Sequence, residues 1–235
     1  MIDMASLWEK SVTVALEAYE RGNINKAENF DYSEKLRILQ LEVADFATEL
    51  IARYQPVARD LRLIHSCLDI SYGFSRFGRY AYDIANLMEM IGPNEDCDKS
   101  HVVQMANTVK NMINLSVKSL KELDKDASQK LYMMDDSVDT LYRSYLRRVL
   151  SQPDGNYKSS EIKCYVSTLL ILRYLERISD HACYIGDCVH YIVTADPSPR
   201  RWNMNILSLK QILLPNSSTI ILYSQKFFIL IKIYC

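Results

Sequence analysis

The sequence has little glycine and little proline, with six residues of each in a chain of 235. Both residues interrupt helices and mark turns, so their scarcity argues against a fold rich in strands and loops. Apolar residues make up 49% of the chain and charged residues 24%, which is enough of both to cover and fill a core. We therefore expect an all-α protein.

Other absences narrow the function. The chain has no basic excess, because 28 Lys and Arg are balanced by 29 Asp and Glu for a net charge of −1. The six cysteines form no CxxC pair and follow no signal peptide, and the four histidines lack HxxxH or HExxH spacing. We expect reduced thiols in a cytoplasmic protein that neither binds nucleic acid nor acts as a zinc enzyme.

The first half of the sequence resembles the second half when Ile70 is aligned with Ile171. The shared positions are apolar and recur every three or four residues, as on one face of a helix in a bundle. In the first half they are Ile70, Phe74, Phe77, Ala81, Ile84 and Met88; in the second they are Ile171, Leu175, Ile178, Ala182, Ile185 and Val189. We infer an internal duplication.

Each half is predicted to contain three helices. Their approximate bounds are 3–21, 31–54 and 57–91 in the first half, and 101–123, 128–151 and 159–194 in the second. Short connections favour antiparallel neighbours, and Gly92-Pro93 gives a sharp stop between the halves. We predict two tandem three-helix bundles, 1–93 and 101–195, followed by a C-terminal tail, 196–235, whose structure the sequence does not indicate.

Acidic residues recur one helical turn apart on two helices of the second half. Asp135 and Asp139 form one pair, and Glu176 and Asp180 form the other. Like charges at this spacing repel each other unless a positive charge lies nearby. If the two helices pack together, the four carboxylates can converge along their shared groove, where hard oxygen donors suit Mg²⁺, Mn²⁺ or iron.

A solvated helix face is the alternative interpretation of these acids. On a helical projection Glu176, Asp180, Cys183 and Asp187 point away from the core of their own helix. Arg173 and Arg177 lie close enough to neutralise part of this row. The sequence alone leaves the metal site and the solvated face both open.

The first half carries serine and arginine at the corresponding positions. Ser75 and Arg79 stand in place of the second acidic pair, and Ser33 and Arg37 stand in place of the first after a one-residue slip in the alignment. The two pairs thus change together. Loss of one shared cation would leave this pattern, because arginine supplies its own positive charge, so we predict a metal site in the second half only.

Two motifs resemble the PhoU family of phosphate-uptake regulators: RYQPVARDLRLI (53–64) and YLERISDHACYIGD (174–187). The resemblance extends over roughly residues 4–194. It implies tandem three-helix bundles whose E(D)xxxD motifs bind multinuclear metal clusters at the surface. By this resemblance the candidate ligands of iron, zinc, manganese or magnesium are Asp135, Asp139, Glu176 and Asp180, whereas SRFGR (75–79) departs from the motif.

The same resemblance implies a non-enzymatic function. Family members restrain phosphate uptake and phosphate-starvation signalling by docking to a phosphate-specific ABC transporter, to a sensor histidine kinase, or to both. The expected protein is cytoplasmic and forms a homodimer. These partners follow from the family, and nothing in the composition or spacing indicates them.

Other functional classes fit parts of the sequence. DDSVD (135–139) matches the DDxxD pattern with which helical isoprenoid synthases hold Mg²⁺ against a diphosphate, but no second magnesium motif accompanies it. A ferritin-like di-iron oxidase is disfavoured because Ser179, rather than histidine, follows Glu176 by three residues. A helical adaptor unrelated to phosphate is a further alternative. We expect His181 to be a half-buried structural residue and Cys183 to be buried.

Overall fold

A computed structural model describes residues 2–21, 26–92, 97–151 and 158–196, and within these ranges it contains six α-helices and no strand. The all-α prediction is thereby confirmed. The predicted tail lies outside the described residues except for Asp196. The helices are α1 (Ile2–Arg21), α2 (Lys26–Tyr54), α3 (Ala58–Ile91), α4 (Ser100–Glu122), α5 (Ala127–Leu150) and α6 (Ser159–Thr194).

The start of α2 is the largest departure from the predicted helix bounds, since α2 begins at Lys26 rather than near residue 31. Its first turns are held by α3. Lys26 forms an ion pair with Glu89 at 2.5 Å, and the Phe30 ring meets the Tyr82 ring edge-on with centroids 5.6 Å apart. The local sequence could not show this, because the partners lie far away along the chain.

The helices pack as two sets of three. α1, α2 and α3 contact one another, and so do α4, α5 and α6. The sets are joined by contacts of α3 with α6 and of α1 with α4, so that Met1–Asp196 forms one compact unit. No helix in the described part of the chain is long and apolar enough to cross a membrane.

The core consists largely of the repeated apolar positions. All of them are buried except Met88, which is half-buried. Trp8 of α1 completes the first bundle, with 1% of its surface exposed and its ring edge-on to Phe77 at 5.1 Å. The three-and-four spacing therefore identified the buried face of both third helices correctly.

The end of α3 also agrees with the sequence. Gly92 follows the last residue of the helix with φ of 78°, and its N–H donates to the carbonyl of Met88 at 3.0 Å. A positive φ is costly for residues with a Cβ, which is why glycine suits this stop.

Cys97 and Cys164 form a disulfide, with their Cα atoms 5.5 Å apart. The expectation of reduced thiols is therefore wrong for this pair. The two residues are 67 positions apart, and they meet because the start of α4 packs beside the first turns of α6. Cys67, Cys183 and Cys188 remain thiols, and Cys183 is buried as expected.

The third helix of each bundle comes close to the second helix at a glycine. A Cβ at Gly78 would lie 2.6 Å from Leu36 Cδ1, and one at Gly186 would lie 2.7 Å from Leu131 Cδ1. At Gly186 the Cα of Ser128 would also be only 3.2 Å away, so backbone as well as side chain obstructs a larger residue. The α5–α6 spacing depends on this glycine.

We predict that Gly186→Ala lowers the free energy of unfolding by about 1–3 kcal/mol, because the added methyl forces α5 and α6 apart. Denaturant unfolding followed by circular dichroism measures this. Gly73→Ala is the matched control, since its Cβ would meet only Ile185 at an ordinary 3.6 Å. At that position, replacing glycine by alanine should raise the free energy of unfolding by about 0.5–1 kcal/mol. Equal effects of the two substitutions would contradict the close-contact interpretation.

Candidate functional site

The acidic residues of the second bundle lie on two antiparallel helices. Near the start of α5, the Tyr132 hydroxyl donates to Asp187 Oδ1, close to the end of α6. Near the end of α5, Tyr145 is hydrogen-bonded with Thr168, early in α6. These contacts fix the register and align the middle of α5 with the middle of α6.

Between these two contacts the predicted carboxylates face one groove, which we call the acidic groove: Asp135 and Asp139 from α5, and Glu176 and Asp180 from α6. The charges of both α5 residues raise the pKa values of both α6 residues, so the four groups lie within electrostatic range of one another. Asp135 is buried, Asp139 and Glu176 are half-buried, and Asp180 is the most exposed. The structure thus brings together every residue of the predicted set.

The α6 carboxylates are destabilised as anions. Partial burial is the main cause that raises the pKa of Asp180 to about 6, followed by repulsion from Glu176 and Asp135. Burial likewise raises the pKa of Glu176, against the opposing effect of Arg173. Part of Asp180 meets solvent, yet its dense surroundings remove enough hydration to favour the protonated form.

Two arginines neutralise part of the groove. Arg173 donates to Glu176 Oε1 at 2.5 Å, and Arg143 donates to Asp139 Oδ2 at 2.8 Å. The other oxygen of Glu176, Oε2, is buried and accepts no hydrogen bond from any described group. A buried carboxylate oxygen without a donor is costly unless a proton or a cation satisfies it.

The donor atoms of the acidic groove are of the type that a cation prefers, but their present positions are not suited to one. Carboxylate oxygens are the donors that hard cations prefer, and Glu176 Oε2 lacks a partner. As the side chains stand, however, no three His, Cys, Asp or Glu residues in the described ranges are close enough to share one ion. A metal would therefore require carboxylates to turn inward and to leave Arg143 or Arg173. The ligand roles of the four residues stay a prediction.

The acidic row of α6 points away from the core of its own helix, but it is not fully exposed to solvent. Cys183 and Asp187 are buried, because α5 covers this side of α6. Sequence reasoning also missed Tyr132, which binds Asp187 and closes one end of the groove. The sequence feature that could have identified Tyr132 is its position three residues before Asp135, which places both residues on the same side of α5.

His181 lies outside the acidic groove, as predicted. It is half-buried between α6 and α3, with its ring centroid 6.2 Å from Tyr72, 6.1 Å from Phe77 and 5.9 Å from Tyr80. Burial, together with Arg76 and Arg177, lowers its pKa to about 4. A neutral imidazole packed among aromatic rings is a structural residue of the α3–α6 contact.

In the first bundle the arginines are paired within their own helices. Arg79 lies 3.1 Å from Asp83 Oδ1, and Arg37 lies 2.9 Å from Glu34 Oε2. Each arginine thus has its own acidic partner one turn away. Whether a cation site was lost from the first bundle stays a hypothesis.

The helix register supports the one-residue slip used to align the bundles. Ser33 of α2 lies beside Gly78 of α3. In the second bundle the comparable close contact, at Gly186, lies two turns further along α6. Two turns before Gly186 on α6 is Ser179, and two turns after Ser128 on α5 is Asp135, so the helical repeat puts these two residues opposite each other. Because the duplication pairs Gly78 with Ser179, Ser33 corresponds to Asp135.

We predict that Asp180→Asn raises the free energy of unfolding at pH 7 and that its effect vanishes below about pH 4. The folded-state pKa of about 6 lies above the ordinary 3.8, so protonated Asp180 stabilises the fold at low pH. That stability is lost as the pH rises through 6. The gain at pH 7 is on the order of 1 kcal/mol, because solvent screens this partly exposed carboxylate.

Thermal and denaturant unfolding between pH 3.5 and 7.5 measures the difference between the variant and the unmodified protein. Asp136→Asn is the control, since Asp136 is exposed on the neighbouring helix and is not among the groups that raise the pKa of Asp180. We expect it to change the free energy of unfolding only slightly. A pH-independent effect of Asp180→Asn would contradict the assigned repulsion.

Comparison with known proteins places this geometry in a family. Residues 1–88 and 102–189 each match the PhoU domain. A Clostridium acetobutylicum protein described as a phosphate-specific transport system accessory protein PhoU homolog is 29% identical over 197 residues, covering 83% of this chain and 89% of that protein. A Synechocystis protein of the same description is 31% identical over 160 residues, covering 67% and 68%.

Solved structures share the fold. PhoU from Pseudomonas aeruginosa matches with a TM-score of 0.71 at 23% identity, covering 83% of this chain and 94% of that one. The phosphate transport system regulatory protein PhoU from Streptococcus pneumoniae matches with a TM-score of 0.73 at 16% identity, covering 83% and 92%. With two family domains in tandem on this six-helix fold, the chain belongs to the PhoU family.

Proposed function

We propose that this protein is a non-enzymatic accessory regulator of a phosphate-specific transport system. The observation that carries the proposal is the pair of PhoU domain matches, one on each bundle. The relatives from Clostridium acetobutylicum and Synechocystis are described as accessory proteins of such systems. In the proposed role the protein restrains phosphate uptake and phosphate-starvation signalling from the cytoplasm.

We propose docking as the way it acts, with the ABC transporter, its sensor histidine kinase or both as partners and a homodimer as the acting form. The first bundle offers an apolar surface for such a contact where α2 turns into α3. Tyr54 is 71% exposed and Val57 74%, and Leu61 is exposed on the next helix. Exposed aromatic and aliphatic side chains grouped at one end of a helix pair are typical anchors of a protein interface.

A cation at the acidic groove is the second part of the proposal. When bound, it would neutralise carboxylates that burial and mutual repulsion now disfavour as anions. Asp135, Asp139, Glu176 and Asp180 would hold iron, zinc, manganese or magnesium through their oxygens. The ion would change the charge of the second bundle's surface, which suits a docking protein better than a catalyst.

The isoprenoid-synthase alternative receives no support from the site. The three aspartates of DDSVD do not share one face, because Asp135 is buried in the groove while Asp136 is exposed. Membership in the PhoU family also favours the regulatory interpretation, and it weighs against an adaptor unrelated to phosphate. No observation favours a catalytic role.

We predict that Tyr54→Ala/Leu61→Ala weakens docking at least tenfold, because the double substitution removes two apolar anchors at the α2–α3 end. The measurement is co-purification with the phosphate transporter from membranes, together with phosphate uptake in a strain whose own PhoU-type gene is deleted. The unmodified chain should restore restraint of uptake in that strain.

Leu150→Ala is the control for this experiment, since Leu150 is 75% exposed at the far end of α5. It should leave both co-purification and uptake unchanged. Unrestrained uptake in the strain carrying the unmodified, well-expressed chain would contradict the regulatory role. Normal docking of the double variant would contradict only the proposed surface.

We predict that the acidic groove binds metal and that Glu176→Gln/Asp180→Asn abolishes the binding, because two of the four oxygen donors lose their charge. Elemental mass spectrometry of the purified protein measures the metal content. Melting in increasing Mn²⁺, Zn²⁺, Fe²⁺ or Mg²⁺ provides a second readout. An ion at a hundredfold excess over its Kd stabilises the fold by about 2.7 kcal/mol.

Asp45→Asn/Glu49→Gln is the matched control, since it removes two exposed acids one turn apart on α2. It should retain the metal and the thermal shift. If neither the unmodified protein nor this control takes up any of the four metals, the acidic groove is a surface without a cation site.

A further inference from the structure

We propose that Cys97 and Cys164 form a redox-responsive pair, which closes as a disulfide under oxidising conditions and opens to two thiols under reducing ones. In the closed form the pair ties Cys97, three residues before α4, to α6. The pair would thereby couple the cell's thiol balance to the stability of the second bundle. This inference is independent of the phosphate and metal proposals.

The geometry of the backbone allows the bond to open and close without rearranging the fold. The two Cα atoms lie 5.5 Å apart, which is the usual separation across a disulfide. Cys97 lies just before α4, in the segment that follows Gly92, and Cys164 lies in the second turn of α6. Because Cys164 is part of α6 and Cys97 is only three residues from α4, we expect the sulfurs to stay close after reduction.

The pair is accessible to small thiols. Both cysteines are half-buried, and an open cavity of about 190 Å³ borders them. Charged groups of both signs line this cavity, including Asp98, Arg148 and Glu161. By contrast, Cys183 and Cys188 are buried and cannot be reached in the folded protein.

The bond closes a long loop around much of the second bundle. The linked residues are 67 positions apart, and α4 and α5 lie entirely within the loop. Loop closure stabilises a fold more as the loop lengthens, because it removes more freedom from the unfolded chain. The bundle core does not contain either cysteine, since residues such as Met105, Val138 and Leu175 fill it. The reduced protein should therefore remain folded but have a lower melting temperature.

The reaction is thiol–disulfide exchange with a disulfide donor such as oxidised glutathione. The thiolate of one cysteine attacks the donor, releases one thiol and forms a mixed disulfide. The second cysteine then attacks the mixed disulfide and releases the other thiol. The protein's two thiols lose two electrons and two protons, the donor's S–S bond is broken, and one S–S bond forms in the protein.

The test uses the full chain equilibrated in glutathione buffers from strongly reducing to strongly oxidising, followed by alkylation and peptide mapping by mass spectrometry. We expect a Cys97–Cys164 linked peptide whose fraction rises across this series. The oxidised protein should melt on the order of 10 °C above the reduced one. Amide hydrogen exchange should be faster in the reduced protein near Cys97 and Cys164.

Cys97→Ser and Cys164→Ser should each abolish the melting shift, and Cys67→Ser should retain it because this half-buried cysteine of α3 is not part of the pair. A shift that persists in Cys97→Ser would overturn the assignment. So would a linked peptide that never forms in oxidising buffer. A bond that stays closed in strongly reducing glutathione would show a permanent disulfide, and the switch would be refuted.

Discussion

The contact between α3 and α6 is the interaction on which the rest of the structure depends. Each of these helices is the core helix of its own bundle, and each also contacts the other. The ring of His181 lies among aromatic side chains of α3, and Gly73 brings the α3 backbone close to Ile185. Because the same helices serve both purposes, the two bundles form one unit and α6 can turn only its remaining face toward α5.

The face of α6 that packs on α5 carries the carboxylates, and their ionised forms are destabilised there. Partial burial and mutual repulsion both oppose ionisation of Glu176 and Asp180, and the charges of Arg173 and Arg177 offset this only in part. Proteins tolerate such clusters where protons, cations or partners can relieve them. The first bundle avoids the problem, because Arg79 and Arg37 are each paired with an acid on their own helix. The two bundles thus have similar folds but different charges at corresponding positions.

The resemblance stated from sequence, the all-α class and the tandem family domains agree with the comparisons and the structure. The predicted ligand set is brought into one groove, but the distances within that groove depend on side-chain positions that no spacing rule specifies. Arg173, which the sequence had already placed near the acidic row, occupies one oxygen of Glu176, and Arg143 occupies one of Asp139. The placement of the acids and the nearness of Arg173 were therefore predictable, whereas the contact of Arg143 with Asp139 was not.

The sequence by itself determined the helices and their buried faces, because periodicity and capping act within a few residues of the chain. It determined the stop at Gly92 and the one-turn spacing of both acidic pairs for the same reason. Only the tertiary structure decided the early start of α2, the burial of Asp187 and the pairing of Cys97 with Cys164. Each of these depends on a partner far along the chain, which the packing of the helices brings within contact distance.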